Sequence, residues 1–215
     1  MPNTGKSTLF NRLTGSSARV ANWPGVTVDL ASAKILLGGH MAEVVDLPGI
    51  YDLHGFSDDE KVVRHFLSGH PIDLVAVIAN ATQIERQLPL VLQARSLGLP
   101  LVLLLNMADE AKRQGMRIDT ARLAARLGFP VVLMSAKYGT GQAEALRALA
   151  QSVDASAAIG HARQANLKAA LSDDARIEQE TAEMMTEAVS VPAQLPERVS
   201  DRIDRTALHP WFGLP

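Results

Sequence analysis

The chain has 215 residues, 47% of them apolar but only 4% aromatic, so aliphatic side chains must fill its core. Net charge is −2, with 21 basic against 23 acidic residues, which leaves no electrostatic footprint for nucleic acid. The absence of cysteine excludes a disulfide scaffold, thiolate metal sites and a cysteine nucleophile.

The first residues, Met1-Pro2-Asn3-Thr4-Gly5-Lys6-Ser7-Thr8, carry the back half of a phosphate-binding loop, G-x-x-x-x-G-K-[ST]. The N–H groups of Gly5, Lys6, Ser7 and Thr8 are expected at a helix N-terminus, where the dipole favours anions. In that reading Lys6 reaches the β- and γ-phosphates and the Ser7 hydroxyl ligates Mg²⁺. The first glycine of the pattern would fall one residue before Met1, and the strand that feeds such a loop is not in the sequence. The expectation is therefore a chain cut or mis-started at its N-terminus, with weak stability and impaired nucleotide affinity.

Residues 7–15 read as a helix, with Leu9, Phe10 and Leu13 on one face and Gly15 ending it. Residues 16–32 show no clear period, and Pro24-Gly25 marks a turn. Residues 33–37 and 41–45, joined through Gly38-Gly39, read as a hairpin that stops at Asp46-Leu47-Pro48-Gly49. A mobile loop is expected over 50–60. The acids Asp58-Asp59-Glu60 then open a helix to about residue 67. Residues 73–79 and 100–105 are continuous apolar strands, the mark of a parallel sheet covered on both faces. Helices are expected over 85–97, about 108–114, 119–127 and about 141–153, with a strand over 130–134 before Ser135-Ala136-Lys137. Strands alternating with helices give an α/β doubly wound, mostly parallel sheet lacking its first strand. Ligands of such sheets bind off the carboxyl ends of the strands, where every polar cluster named here falls.

Beyond residue 153 strand signals vanish. Ile177, Thr181, Met184, Met185, Ala188 and Val189 keep the period of an amphipathic helix, and the methionines read as packing rather than metal ligands. The expected organisation is a nucleotide-binding domain over 1–153, a small all-helical region over 154–191 and a linker over 192–215, opened by Pro192 and Pro196. No apolar run reaches the roughly 18 residues of a membrane span, and no secretory leader is expected. The six histidines follow no ligand spacing.

The chemistry lies in the order of the clusters. In Asn106-Met107-Ala108-Asp109, a carboxylate after a buried strand can accept from N1–H and N2–H₂ of guanine, an edge that adenine lacks. Ser135-Ala136-Lys137 would supply a backbone N–H to the guanine O6. Asp46-x-x-Gly49 places a carboxylate behind Mg²⁺ and a glycine N–H on the γ-phosphate, and Thr27 would complete the metal shell. Together these residues define a GTP or GDP site.

Asn3-Thr4-Gly5-Lys6-Ser7, Asn22-Trp23-Pro24-Gly25-Val26-Thr27-Val28, Asp46-Leu47-Pro48-Gly49, Asn106-Met107-Ala108-Asp109 and Ser135-Ala136-Lys137 resemble the cytosolic G domain of FeoB-type ferrous iron transporters. Asn22 to Val28 is the most specific stretch. Ser57-x-Asp59-Glu60-Lys61, Ile84-Glu85-Arg86 and the tail Ser200 to Arg205 with His209-Pro210-Trp211 are similar as well. The resemblance implies a GTP switch at the cytoplasmic face of a bacterial inner membrane, tied to Fe²⁺ uptake by a membrane domain of the same protein. It implies small cytosolic accessory proteins of the same system and self-association as further contacts. It adds Gly25 and Val26 to the nucleotide contacts, names Lys6, Thr27 and Gly49 as the catalytic set, and puts K⁺ at Asn3 with backbone carbonyls of residues 21–23. Residues 154–195 correspond to a small helical domain likened to a nucleotide-dissociation inhibitor.

Ile50 follows Gly49, where a Ras-like enzyme has its water-orienting glutamine, so slow intrinsic hydrolysis is expected. Helix capping explains Asp58, Asp59 and Glu60 better than a general-base role does. Two other readings stay open: a regulatory module that binds nucleotide with little hydrolysis, and a GTPase of ribosome or tRNA processing. The second lacks a basic appendage here.

Overall fold

The computed structural model describes residues 1–15, 18–21, 23–24, 28–159, 165–167 and 174–191. Seven α-helices and eight strands lie among the described residues. The helices are α1 (Lys6–Thr14), α2 (Asp58–Gly69), α3 (Ile84–Ser96), α4 (Ala108–Arg113), α5 (Thr120–Leu127), α6 (Gln142–Ile159) and α7 (Asp174–Ala188). The strands are β1 (Arg19–Ala21), β2 (Leu30–Leu37), β3 (His40–Asp46), β4 (Val75–Asn80), β5 (Leu101–Asn106), β6 (Arg117–Ile118), β7 (Val131–Leu133) and β8 (Val189–Ser190).

The sheet that carries the site is parallel, in the order β4-β5-β7. Its centre, β5, is buried at all six positions. Period-2 alternation splits it between two cores. Leu103 and Leu105 join the larger core with Val63, Leu88 and Leu123 from α2, α3 and α5. Val102 and Leu104 join Leu9 of α1 and Leu149 of α6 on the other face. This is the α/β arrangement expected from the alternating elements. β1, β2 and β3 form a separate antiparallel sheet whose hairpin turns at Gly38 and Gly39, both with positive φ.

Local expectations are corrected at several places. The aperiodic stretch 16–32 contains β1, a three-residue strand too short to leave a period. β4 packs on both faces, Val75 and Val77 towards one core and Ile78 towards the other, though Ala76 is exposed. Among the described residues, one edge of β4 pairs with β5 and the other with no strand. The loop 50–57 is tied down rather than free. Gln93 of α3 holds the Leu53 N–H and Asp52, and Arg64 of α2 donates to the carbonyls of Leu53 and Gly55. Strands do not end at residue 153 either, since β8 pairs antiparallel with β6. The helix expected to stop near 153 continues to Ile159, where Ala155, Ala157 and Ala158 favour helix.

α7 docks on α3 and α5 through buried Thr181, Met184 and Ala188. Met184 has no solvent exposure, as the packing reading requires. Arg95 grips Glu180 through both terminal nitrogens, at 2.8 and 2.6 Å. Arg126 reaches Glu183 at 2.7 Å.

Candidate nucleotide site

The loop 1–5 leads into α1 through Gly5, which caps the helix at φ 76°. That left-handed conformation favours glycine, and a Cβ here would also strike the Asn106 amide. Asn3 takes a positive φ of 56°, which asparagine tolerates better than most residues. The Asn3 side chain is exposed and takes no partner among the described residues. It is not the loop brace that many such asparagines are. Thr4 is that brace: it is 1% exposed, and its hydroxyl donates to the Met1 carbonyl at 3.1 Å. Ser7 and Thr8 sit in the first turn of α1 with exposed side chains.

Lys6 forms an ion pair with Asp46 at the end of β3. Gly49 packs against the start of the loop, and a Cβ on it would lie 2.9 Å from the Met1 carbonyl carbon. Leu47 and Pro48 are half-buried between them. Ile50 is 7% exposed and belongs to the core with Leu53.

Asn106 ends β5 and is 3% exposed. Its Nδ2 donates to the Thr4 carbonyl at 2.7 Å, and its Oδ1 accepts from the Ala136 N–H at 2.7 Å. One side chain thus ties the phosphate-type loop to the 135–137 loop. Met107 follows in the left-handed region at φ 64° and caps α4. Asp109, in the first turn of α4, accepts from the Ser135 hydroxyl at 2.7 Å, while its side chain stays partly exposed. The Ser135 N–H bonds the Thr140 carbonyl, and its own carbonyl accepts from Gly139. Arg12 of α1 donates to the Lys137 carbonyl at 2.8 Å.

Lys6, Asp46, Asn106, Asp109 and the 135–137 loop are therefore one connected network at the carboxyl ends of β3 and β5. Gly25, Val26 and Thr27 lie outside the described residues, as does Asn22. Trp23 is described: its ring meets Phe66 at 5.1 Å and His70 at 5.4 Å, fixing this part of the loop to α2. The Ser57–Glu60 capping box, with Glu60 Oε2 accepting from the Ser57 N–H at 2.9 Å, accounts for the acids at the start of α2. Sequence reasoning named Asn106 as a base contact and missed its bridging role. An asparagine followed by a base-reading aspartate leaves no separate signal for it.

A glycine-capped helix N-terminus, a lysine–aspartate pair beside it and an Asn-x-x-Asp turn on a parallel strand together define a P-loop GTPase fold. Residues 1–149 match the family model described as "Ferrous iron transport protein B", and the chain belongs to that family. It is 50% identical over 217 residues to the Fe(2+) transporter FeoB of Synechocystis sp., covering 100% of this chain and 34% of that protein. With the Escherichia coli Fe(2+) transporter FeoB the identity is 43% over 144 residues, covering 65% of this chain and 19% of that one. The chain thus spans about a third or less of the curated relatives it matches. Among solved structures, the cytosolic domain of L. pneumophila FeoB is 31% identical with a TM-score of 0.70, covering 88% of this chain and 96% of that one. The T. maritima FeoB cytosolic domain in a GDP form is 26% identical with a TM-score of 0.71, over the same shares. No helix among the described residues is long and apolar enough to cross a membrane.

Proposed function

We propose that this chain binds and hydrolyses GTP as the cytosolic switch of a longer ferrous iron transporter, regulating Fe²⁺ passage at the cytoplasmic face of a bacterial inner membrane. The observation that carries this reading is the Asn106 bridge, which holds the phosphate-side and base-side loops in one unit. Solved relatives are described in GDP and GMPPNP forms, which supports guanine nucleotides as the ligand class.

In this reading the backbone of Asn3 to Thr8 cradles the phosphates at the N-terminus of α1. Lys6 exchanges Asp46 for the β- and γ-phosphates, which releases the Asp46 carboxylate towards the metal. The donor set fits Mg²⁺, which takes one or two carboxylates and completes its shell with phosphates and water. Ser7, exposed beside Lys6, and Asp46 would hold it, with Thr27 as the further ligand; bound there, the ion would neutralise charge developing on the phosphates. The Gly49 N–H serves the γ-phosphate, Gly25 and Val26 the outer loop, and Leu47 and Pro48 the wall. Asp109 reads the guanine edge, Met107 and Lys137 flank the base, and the loop Ser135-Ala136-Lys137 supplies a backbone N–H to O6.

The unpartnered Asn3 amide supports the K⁺ reading. The same reading assigns 1–153 to the G domain, 154–191 to a helical regulatory region and 192–215 to a lead towards the membrane domain. Membrane domain, accessory proteins and self-association are its partners, and no nucleic acid is.

Phosphate release from GTP with Mg²⁺, compared in K⁺ and Na⁺, tests it. Faster release in K⁺ is the expected outcome; release equal to buffer alone would overturn the enzymatic part. The buried Ile50 favours a second reading, a nucleotide-binding module with little hydrolysis, because the side chain directly after Gly49 is an apolar one that cannot orient water. Tight GDP binding with no phosphate release would select it.

A further inference from the structure

Arg12 is exposed in the last turn of α1, where a cation favours the helix dipole in any rotamer. It takes one particular course instead. Nη2 donates to the Lys137 carbonyl at 2.8 Å, and Nη1 donates to Gln142 Oε1 at 3.3 Å, partners 125 and 130 positions away in the chain. Gly139 leaves room for it: a Cβ there would sit 3.1 Å from Nη1. The φ of 77° at Gly139 also favours glycine. The guanidinium therefore lies against the turn 135–142 and ties it to α1.

Most donors at the start of that turn are already committed. The Ser135 N–H goes to the Thr140 carbonyl, and the Ala136 N–H to Asn106 Oδ1. The Lys137 N–H is the next donor along, and among the described residues it takes no partner. It belongs to the peptide between Ala136 and Lys137. The peptide before it is held by Asn106 through the Ala136 N–H. The peptide after it is held by Arg12 through the Lys137 carbonyl. A planar peptide between two fixed ones has little freedom left to turn, so the direction of the free N–H is set from both sides. Asn106 is the buried half of this clamp and Arg12 the exposed half. Lys6 stands in the first turn of the same helix and Arg12 in its last, so α1 meets both the phosphate end and the base end of the candidate site.

We propose that Arg12 is a positioning residue for guanine recognition: it holds the Lys137 carbonyl so that the Lys137 N–H points at O6, and it thereby lengthens the stay of the bound nucleotide. This role stands on the guanine-nucleotide reading of the site and deepens it. Arginine suits the task because its planar fork meets a carbonyl and a side-chain oxygen together, whereas a lysine ammonium is a single flexible point charge. Losing such a contact changes departure of the ligand more than its encounter.

The test uses the full chain with Mg²⁺ and a fluorescent GDP followed by stopped flow. Arg12→Ala should raise the dissociation rate about three- to tenfold and keep the association rate within about twofold. Arg12→Lys should fall between variant and parent. The base-specific probe is 6-thio-GDP, which keeps the N1–H and amino edge for Asp109 but offers sulfur, a weak acceptor, in place of O6. The parent should prefer GDP to this analogue, and the preference should shrink about three- to tenfold in Arg12→Ala. Tm without nucleotide should match that of the parent, because alanine is a good helix former at an exposed site. Equal losses for both nucleotides would make the contact a merely structural one and overturn the proposal, as would an unchanged dissociation rate. If Arg12→Ala does not fold, Arg12→Lys carries the same comparison. A parent chain that binds no GDP would sink the guanine reading itself, and the role of Arg12 with it.

Discussion

Asn106 spends both ends of its amide on backbone groups of other loops, and those groups have no alternative partner in a buried setting. Asn106→Ala should leave the Thr4 carbonyl and the Ala136 N–H unsatisfied, at a cost of about 1–3 kcal/mol for each group. The expected result is a lower Tm together with weaker GDP affinity in titration calorimetry. A Tm loss with unchanged affinity would mean that the two loops hold their places without it. Asp109 is a different case. Ser135 donates to its Oδ1, and an asparagine oxygen can still accept that bond. Asp109→Asn should therefore keep the turn while changing the other arm from acceptor to donor. Preference should move from guanine towards xanthine nucleotides in competition binding; unchanged selectivity would remove Asp109 from the base site.

At the scale of elements, α7 is held by charge as well as by packing. The Glu180 carboxyl is held below its ordinary value by its hydrogen bonds to Arg95, against a smaller opposing effect of burial. An acid whose pKa is lowered in the folded state stabilises it above its unfolded pKa, here about 4.5, and loses that contribution as pH falls through the folded value. α7 should thus loosen selectively in acid, and Arg95→Ala should weaken its docking by about 1–2 kcal/mol at neutral pH. Exchange rates of the α7 amides would register both effects. Equal rates in variant and parent would assign the docking to Met184 and its neighbours alone.

Elements were legible in the sequence where they were long and strictly periodic. Residues 101–105 announce a buried strand because every side chain is aliphatic, and Gly5 and Gly15 bracket α1. β1, β6 and β8 have three, two and two residues, too few to express a period, and they exist through their partners. Residues 142–159 contain enough alanine to extend a helix past any polarity signal. At the candidate site, residue types and order were readable in Lys6, Asp46 and Asp109, because chemistry dictates them. The Asn106 bridge and the Arg95–Glu180 grip join residues 102 and 85 positions apart in the chain, and only the fold brings them together.

For the whole molecule, the amino terminus is a pH-dependent liability. Burial first, and Lys6 second, lower the Met1 amine from 8.0 to about 6, with Asp46 opposing. Between those values the unfolded chain binds more protons than the folded one, so stability rises with pH from about 6 to 8. Two pKa units correspond to about 2–3 kcal/mol. Thermal unfolding at pH 6 and pH 8 should give the higher Tm at pH 8; a flat profile would mean that water reaches the amine.

The amide of Asn106 has a kinetic corollary. In the proposed site one side chain couples the loop assigned to the phosphates to the turn assigned to the purine, so neither end of that cradle could slacken by itself. Departure of a nucleotide would then be a single concerted escape with one rate constant, and an exchange catalyst could act by prising apart this one amide rather than by competing at either end.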